Sequence, residues 1–173
     1  MRPAKVFGDQ PQGVRFGKAE PINNEKGEAF MFTRQLSVFV ENKPGRLAEI
    51  TTALADAGVD IRAVSVSDTT DFGILRLILN DPDRGWEVLQ AHHCTVSLTD
   101  VIVIRISDQP GGLSFPMKLL FNAGISVDYM YAFISKNERS ACVILRVTDN
   151  QRAVELLQEN HVQIVSEDEI RNM

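Results

Sequence analysis

The constraint that does most to limit how this chain can fold is a duplication. The stretch E-N-K-P-G-R-L-A-E-I-T-T-A-L-A-D-A-G-V-D-I at 41–61 returns as S-D-Q-P-G-G-L-S-F-P-M-K-L-L-F-N-A-G-I-S-V at 107–127. Pro44 and Pro110, Gly45 and Gly111, Leu47 and Leu113, Leu54 and Leu120, Ala57 and Ala123, and Gly58 and Gly124 are each 66 residues apart. Leu89-Gln90 and Leu157-Gln158 are 68 apart, as if the second unit held two more loop residues. The 173 residues therefore divide into two units of about 65 to 70 residues each. Units of that size bury little surface alone, so they are expected to pack on each other, within the chain or across a dimer. The copies share a Pro-Gly loop rather than a catalytic side chain, which points to binding.

The expected organisation is an extended or disordered arm over 1–33, a first unit over 34–99 and a second over 100–173. The arm holds Pro3, Pro11 and Pro21 among Gly8, Gly13, Gly17 and Gly27, with no sustained period. A start at Met31 is the alternative reading of this stretch. From Gln35 the pattern turns regular. Leu36, Val38 and Val40 alternate with Gln35, Ser37 and Phe39 as in a half-buried strand. Leu47, Ile50, Leu54 and Ala57 then fall at helical spacing, and Gly58 follows where a helix needs a left-handed terminator. Strands are expected over 59–66 and 74–79, with a turn over 68–71 between them. A helix opens at Asp81-Pro82-Asp83, with Val88, Leu89 and His92 along one side. A last strand is expected over 94–98. The second copy repeats the order: a strand over 101–106, a helix ending at Gly124, strands over 127–134 and 141–147, a helix through Leu156-Leu157 and a strand over 162–165. This is the α+β, ferredoxin-like βαββαβ order, twice. Each unit covers one face of its sheet with helices, and the bare faces, rich in Val, Ile and Leu, are expected to bring about sheet-to-sheet or side-by-side sheet pairing between units.

Composition narrows the functional classes. With 44% hydrophobic and 24% charged residues the balance is that of a soluble globular protein. A net charge of -5 argues against a nucleic-acid partner, which requires clustered Lys and Arg. No run of 18 apolar residues is present and the first residues lack an apolar signal core, so no membrane partner and a cytoplasmic location are expected. Cys94 and Cys142 form no C-x-x-C pair and read as buried thiols, with no metal and no cofactor expected. Neighbouring His92 and His93 point in different directions on a helix and do not converge on one ion. Asp68 and Asp71 read as turn residues. No nucleophile or cluster for flavin or thiamine chemistry is visible, so the chain is read as not an enzyme. An RNA-binding sheet would need basic and aromatic residues where Phe72-Gly73-Ile74-Leu75 stands beside Asp71.

The loops N-K-P-G-R-L at 42–47 and D-Q-P-G-G-L at 108–113 carry the functional reading. Pro44 and Pro110 set the chain direction before a helix, and Gly45 and Gly111 let a ligand approach the backbone. The N–H groups of the first helical turn suit a carboxylate, and the side-chain oxygens of Asn42 and Asp108 suit an ammonium group. A free amino acid carries both charges on one carbon. Against this stands the plainer alternative of a tight turn with an Asn or Asp helix cap.

These residues, with A-G-V-D-I-R-A at 57–63, D-T-T-D-F-G-I-L-R at 68–76, S-L-T-D-V-I at 97–102 and Y-M-Y-A-F at 129–133, make the chain resemble the ACT domain family of small-molecule sensors, specifically its free-standing tandem members, over about 34–171. The resemblance implies two ACT units, no catalysis, and a free amino acid held between ACT units. It implies ligand contacts from Asn42, Pro44, Gly45, Arg46 and Leu47 and, in the second copy, from Asp108, Gly111, Gly112 and Leu113. Ser65, Tyr129 and Tyr131 would form the facing wall from a neighbouring unit. Tyr129 and Tyr131 share one sheet face and have core or interface packing as their other reading. The second loop has Asp108 for Asn42 and Gly112 for Arg46, so one copy binding and the other supporting is an alternative to two equal sites. The expected partners are a homodimer mate and a separately encoded target; a regulatory subunit of an amino-acid biosynthetic enzyme such as acetolactate synthase is the second functional reading.

Overall fold

The computed structural model describes residues 22–23, 29–30, 32–68, 72–134 and 140–173. Within the expected 1–33 arm, Ile22–Asn23 (β1) and Ala29–Phe30 (β2) pair antiparallel. The other residues up to 31, and Asp71 of the expected turn, lie outside the described residues. The chain continues through β3 (Thr33–Glu41), α1 (Arg46–Asp56), β4 (Ile61–Asp68), β5 (Phe72–Leu79), α2 (Pro82–Ala91) and β6 (Thr95–Ser107). Then come α3 (Ser114–Asn122), β7 (Val127–Ile134), β8 (Ser140–Val147), α4 (Asn150–Glu159), β9 (Gln163–Ile164) and α5 (Glu167–Arg171). The expected βαββαβ order is present twice, in tandem ferredoxin-like units, each with its strands ordered second, third, first, fourth.

One strand serves both units. Separate strands were expected at 94–98 and 101–106, but β6 is a single strand of 13 residues. Thr99 and Asp100 stay in the ladder opposite Gln35 and Arg34 of β3, and from Ile102 onward β6 pairs with β8. Ile104 lies between Val143 of β8 and Ile164 of β9. The result is one seven-stranded antiparallel sheet, β4-β5-β3-β6-β8-β7 with β9 also on β6. The expected unit boundary between 99 and 100 falls inside β6.

The duplication extends to backbone geometry. Gly58 and Gly124 have φ of 71° and 69°, ending α1 and α3, and His93 and His161 have φ of 57° and 60°, ending α2 and α4. After each, the next N–H donates five residues back: Val59 to Leu54, Ile125 to Leu120, Cys94 to Leu89 and Val162 to Leu157. This is the Schellman closure, which satisfies carbonyls the helix leaves open. Asp81 and Asp149 cap α2 and α4 by accepting from the N–H groups of Arg84 and Arg152. Even the register shifts match, at Ile61/Ala63 and Val127/Tyr129.

Three cores result. Leu36, Val38, Leu54, Leu77 and Leu89 fill the space between the first half-sheet and α1 and α2. Ile104, Leu120, Leu145, Ala153 and Leu157 do the same for the second. The third lies on the faces without helices: Ala63 and Ile78 from the first unit meet Val101, Val103, Cys142, Ile144, Val165 and Ile170. Edge strands β4 and β7 come together as the sheet curls. The expected sheet-to-sheet packing is thus achieved within one chain. It also corrects the reading of β3 as half-buried, because Gln35 and Ser37, on the face away from the first core, are buried and that face opens only at its end, at Phe39, 52% exposed, and Glu41. On α1 the buried positions are Ile50, Ala53 and Leu54, while Leu47 is exposed and Ala57 lies past the helix end. His92, expected on the packed side of α2, is exposed at its C-terminus.

Helix α5 has no counterpart in the first unit and was not foreseen. It crosses back to that unit, with Ile170 buried in the third core. Arg34 of β3 donates from its backbone N–H, Nε and Nη2 to the Glu167 carboxylate and from Nη1 to Asp83. Arg62 of β4 donates to the Arg171 carbonyl, and Arg105 pairs with Glu169.

Candidate functional site

Strand β3 ends at Glu41, and the chain turns through Lys43 and Pro44 into α1. The Lys43 N–H donates to the Glu41 carbonyl at 2.8 Å, and its ammonium pairs with the Glu41 carboxylate at 2.5 Å. That pairing holds the Glu41 carboxyl below its ordinary range, Lys43 being the cause through hydrogen bond and charge. Gly45 stands at φ 90°, a left-handed conformation that a side chain would strain. It is the residue before α1, and α1 has no side-chain cap. The tight turn of the plainer alternative is present, with the Arg46 N–H donating to the Lys43 carbonyl at 3.3 Å, but its Asn cap is not, since Asn42 is exposed and makes no cap to α1.

A cavity of about 530 Å³ opens beside this loop. Lys43, Pro44, Arg46 and Glu49 form one wall, and Phe39, Glu41, Phe72, His93 and Thr95 form the rest. Strand register explains the assembly: Thr95 of β6 lies opposite Phe39, and Phe72 of β5 opposite Glu41, all on the sheet face away from the first core. Volumes of about 300 to 1,000 Å³ are usual for small-molecule sites. A second cavity of about 520 Å³ runs along α1 past Ala48, Thr52, Ala53 and Asp56 to His92 and Cys94. Arg46 lines both. Its guanidinium donates to Glu49 at 2.9 Å and to the Cys94 sulfur at 3.4 Å, and the Glu49 bond raises its pKa. Burial pushes the Cys94 thiol up, with the Arg46 charge acting in the opposite direction. Both cysteines are buried free thiols.

The second loop has the same backbone but not the same surroundings. Gly111 has φ 92°, matching Gly45. Gly112 stands where the first copy has Arg46, and a Cβ there would come 2.1 Å from the Ser107 carbonyl oxygen. The turn runs on to Leu113, which packs on the second core, and α3 begins only at Ser114. Asp108 is exposed, and α3 has no side-chain cap either.

The three residues expected on a facing wall lie elsewhere, between the two half-sheets of the same chain. Tyr129 and Tyr131 both reach Gln35: the Gln35 amide donates to the Tyr129 hydroxyl at 2.8 Å and accepts from the Tyr131 hydroxyl at 3.0 Å. The Arg76 guanidinium lies 4.0 Å from the centre of the Tyr129 ring and donates to Ser67. Burial pushes the Tyr131 phenol well up, Tyr129 adding to the shift and Arg76 opposing it. Ser65 sits opposite Arg76 in the β4–β5 ladder. None of these three lines the loop cavity.

Of the sequence-derived site residues, the structure gathers Pro44, Gly45 and Arg46 around the two cavities. Sequence reasoning missed Phe39, Glu41, Lys43, Glu49, Phe72, His93 and Thr95. Lys43 and Glu41 were within reach, being next to the loop. Phe39 carried a signal too, as a large aromatic in the polar phase of β3. The others arrive only through register. Among the described residues, no group of three or more His, Cys, Asp or Glu could hold a metal ion, and no helix is long and apolar enough to cross a membrane.

The family model described as an ACT domain pair matches residues 31–173. A crystal structure of a protein from Bacteroides thetaiotaomicron is similar at 35% identity and a TM-score of 0.78, covering 83% of this chain and 98% of that one. The ligand-free regulatory subunit of aspartate kinase from Thermus thermophilus shares the fold, with a TM-score of 0.54 at 14% identity over 75% of this chain and 93% of that one. The corresponding subunit from Thermus flavus gives 0.52 at 14% identity, over 76% and 94%. No curated protein matches the chain. Duplicated βαββαβ units fused through β6, a paired Pro-Gly loop and a family match across both copies lead to one conclusion: the chain belongs to the ACT domain pair family.

Proposed function

We propose that this chain is a regulatory protein without catalysis of its own that binds a free amino acid at the first loop, with the ligand enclosed where ACT units meet in a cytoplasmic homodimer. The observation that carries the reading is the cavity at Pro44 and Arg46, which offers cations from Lys43 and Arg46 and carboxylates from Glu41 and Glu49 within one small volume. A zwitterionic head group needs both signs at once. The second loop lacks that set, because Gly112 replaces Arg46 and its bare Cα packs on Ser107. Ligand binding would act by favouring one packing of the units over another, in proportion to its difference in affinity for the two.

The output has two forms. The chain acts alone as a sensor, or it is the regulatory subunit of a separately encoded enzyme of amino-acid biosynthesis. The fold likeness to the regulatory subunits of aspartate kinase supports the second as a class, and acetolactate synthase is another enzyme of that kind. The test is a thermal-shift screen with the twenty amino acids. A ligand at a hundredfold excess over its dissociation constant adds about 2.7 kcal/mol. Arg46→Ala is expected to fold and to lose that response. An unchanged response in Arg46→Ala would move the site away from this loop.

A further inference from the structure

We infer that the first-loop cavity selects amino acids with a large, uncharged, apolar side chain, read by Phe39 and Phe72; this rests on the proposed amino-acid site. Charge comes first. Lys43 pairs with Glu41 at 2.5 Å and Arg46 with Glu49 at 2.9 Å, so the cavity's two cations are matched by two carboxylates. A zwitterion inserted among them keeps that balance. A third charge on the ligand's side chain would not, because an acidic one adds to Glu41 and Glu49 and a basic one to Lys43 and Arg46.

The apolar contribution comes from the sheet. Phe39 and Phe72 are 52% and 54% exposed, on adjacent strands and the same face. They are diagonal neighbours, since Phe39 lies opposite Ile74, two residues from Phe72. Diagonal pairs at about 7 to 8 Å are within reach of aromatic side chains and can flank one ligand group. The second unit supplies an internal comparison. By register, Arg105 occupies the position of Phe39 and Ser140 that of Phe72. Arg105 is committed to Glu169 of α5. Gln109 and Phe115 stand where the first copy has Lys43 and Glu49. The two copies keep their turns and helix ends but differ at the aromatic pair and at the charges. The pair is therefore not demanded by the fold, and it lies where a ligand side chain would rest.

The experiment is calorimetric titration of the full chain with L-leucine, L-phenylalanine, glycine, L-aspartate and L-lysine. Leucine and phenylalanine are expected to bind at least ~10-fold tighter than glycine, a pocket methylene alone being worth about that much. Phe39→Ser and Phe72→Ser, both at exposed positions, are expected to weaken leucine and phenylalanine binding at least ~10-fold more than they weaken glycine binding, so that the advantage over glycine is lost. Aspartate or lysine as the tightest ligand would overturn the selectivity and leave amino-acid binding standing. Binding of none of the five would overturn the selectivity, and no response to any of the twenty amino acids in the thermal-shift screen would overturn both. If the Phe variants change the oligomeric state and keep the ligand ranking, the aromatic pair serves association, and the inference fails.

Discussion

Six described residues hold a left-handed backbone, and they mark the residue scale of this fold: Gly45, Gly58, Gly111, Gly124, His93 and His161. A residue with a side chain costs about 1 to 2 kcal/mol in that region. Gly124→Ala is accordingly expected to destabilise by about 1 kcal/mol even though nothing lies within 4 Å of the added Cβ. The converse, His161→Gly, is expected to be neutral to stabilising by up to about 1 kcal/mol, since relief of φ is offset by unfolded-state entropy. Denaturation midpoints at constant m-value would show both. Asp100 gives a pH signature. Burial raises its carboxyl pKa, with Arg146 and Arg34 opposing. Its folded pKa then lies above the unfolded one, so the charged form costs stability at neutral pH, and that cost vanishes as pH falls through the raised pKa. Asp100→Asn is expected to melt higher than the parent at pH 7, with the difference closing below the ordinary carboxylate range. A constant difference across that range would refute the assignment.

At the scale of elements, β6 and α5 determine how the two units relate. β6 places Ile102 and Ile104 in the second core and Val101 and Val103 in the third, so its alternation serves two environments. Ile144, fully buried opposite Val103, is part of that third core. Ile144→Ala is expected to cost about 2 to 5 kcal/mol, the range for large-to-small changes at buried aliphatic sites. Helix α5 has only five residues and is held by contacts outside itself. Glu167 is 7% exposed and accepts from Arg34 and Arg171. Glu167→Gln removes the buried carboxylate that Arg34 and Arg171 share and leaves Arg34 only the exposed Asp83 as a carboxylate partner, and a loss of about 1 to 3 kcal/mol is expected in chemical denaturation.

For the whole molecule, the shared strand and the third core make two repeats into one cooperative body. Heating is expected to give a single transition, with calorimetric and van't Hoff enthalpies in agreement. A fragment of residues 32–99 would keep its helix-side core but lose Val101, Val103 and Ile144 from the face beneath Gln35 and Ile78. It is expected to be unfolded or to associate. Two separate transitions, or a stable monomeric fragment, would show that the units are independent.

How much was legible follows from the range of each interaction. Helix ends, capping Asp residues and the βαββαβ order are set within a few residues, so the repeated Gly58 and Gly124, and the periodicities around them, already specified two ferredoxin-like units and the need to cover their bare faces. The continuity of β6 was hidden, because alternation reads the same whether residues 95–107 form one strand or two. Burial of Gln35 and Ser37 was hidden as well, since it depends on β7 lying across the sheet. Helix α5 has no period long enough to detect, and its position comes from Arg34, Arg62 and Arg105. The cavity shows the same division. Its loop, Pro44 to Arg46, could be read locally, whereas Phe72, His93 and Thr95 arrive from other segments through strand register. Local sequence determined what each unit is; the meeting of distant strands decided which side chains share a space, because that depends on register and curl that no short stretch encodes.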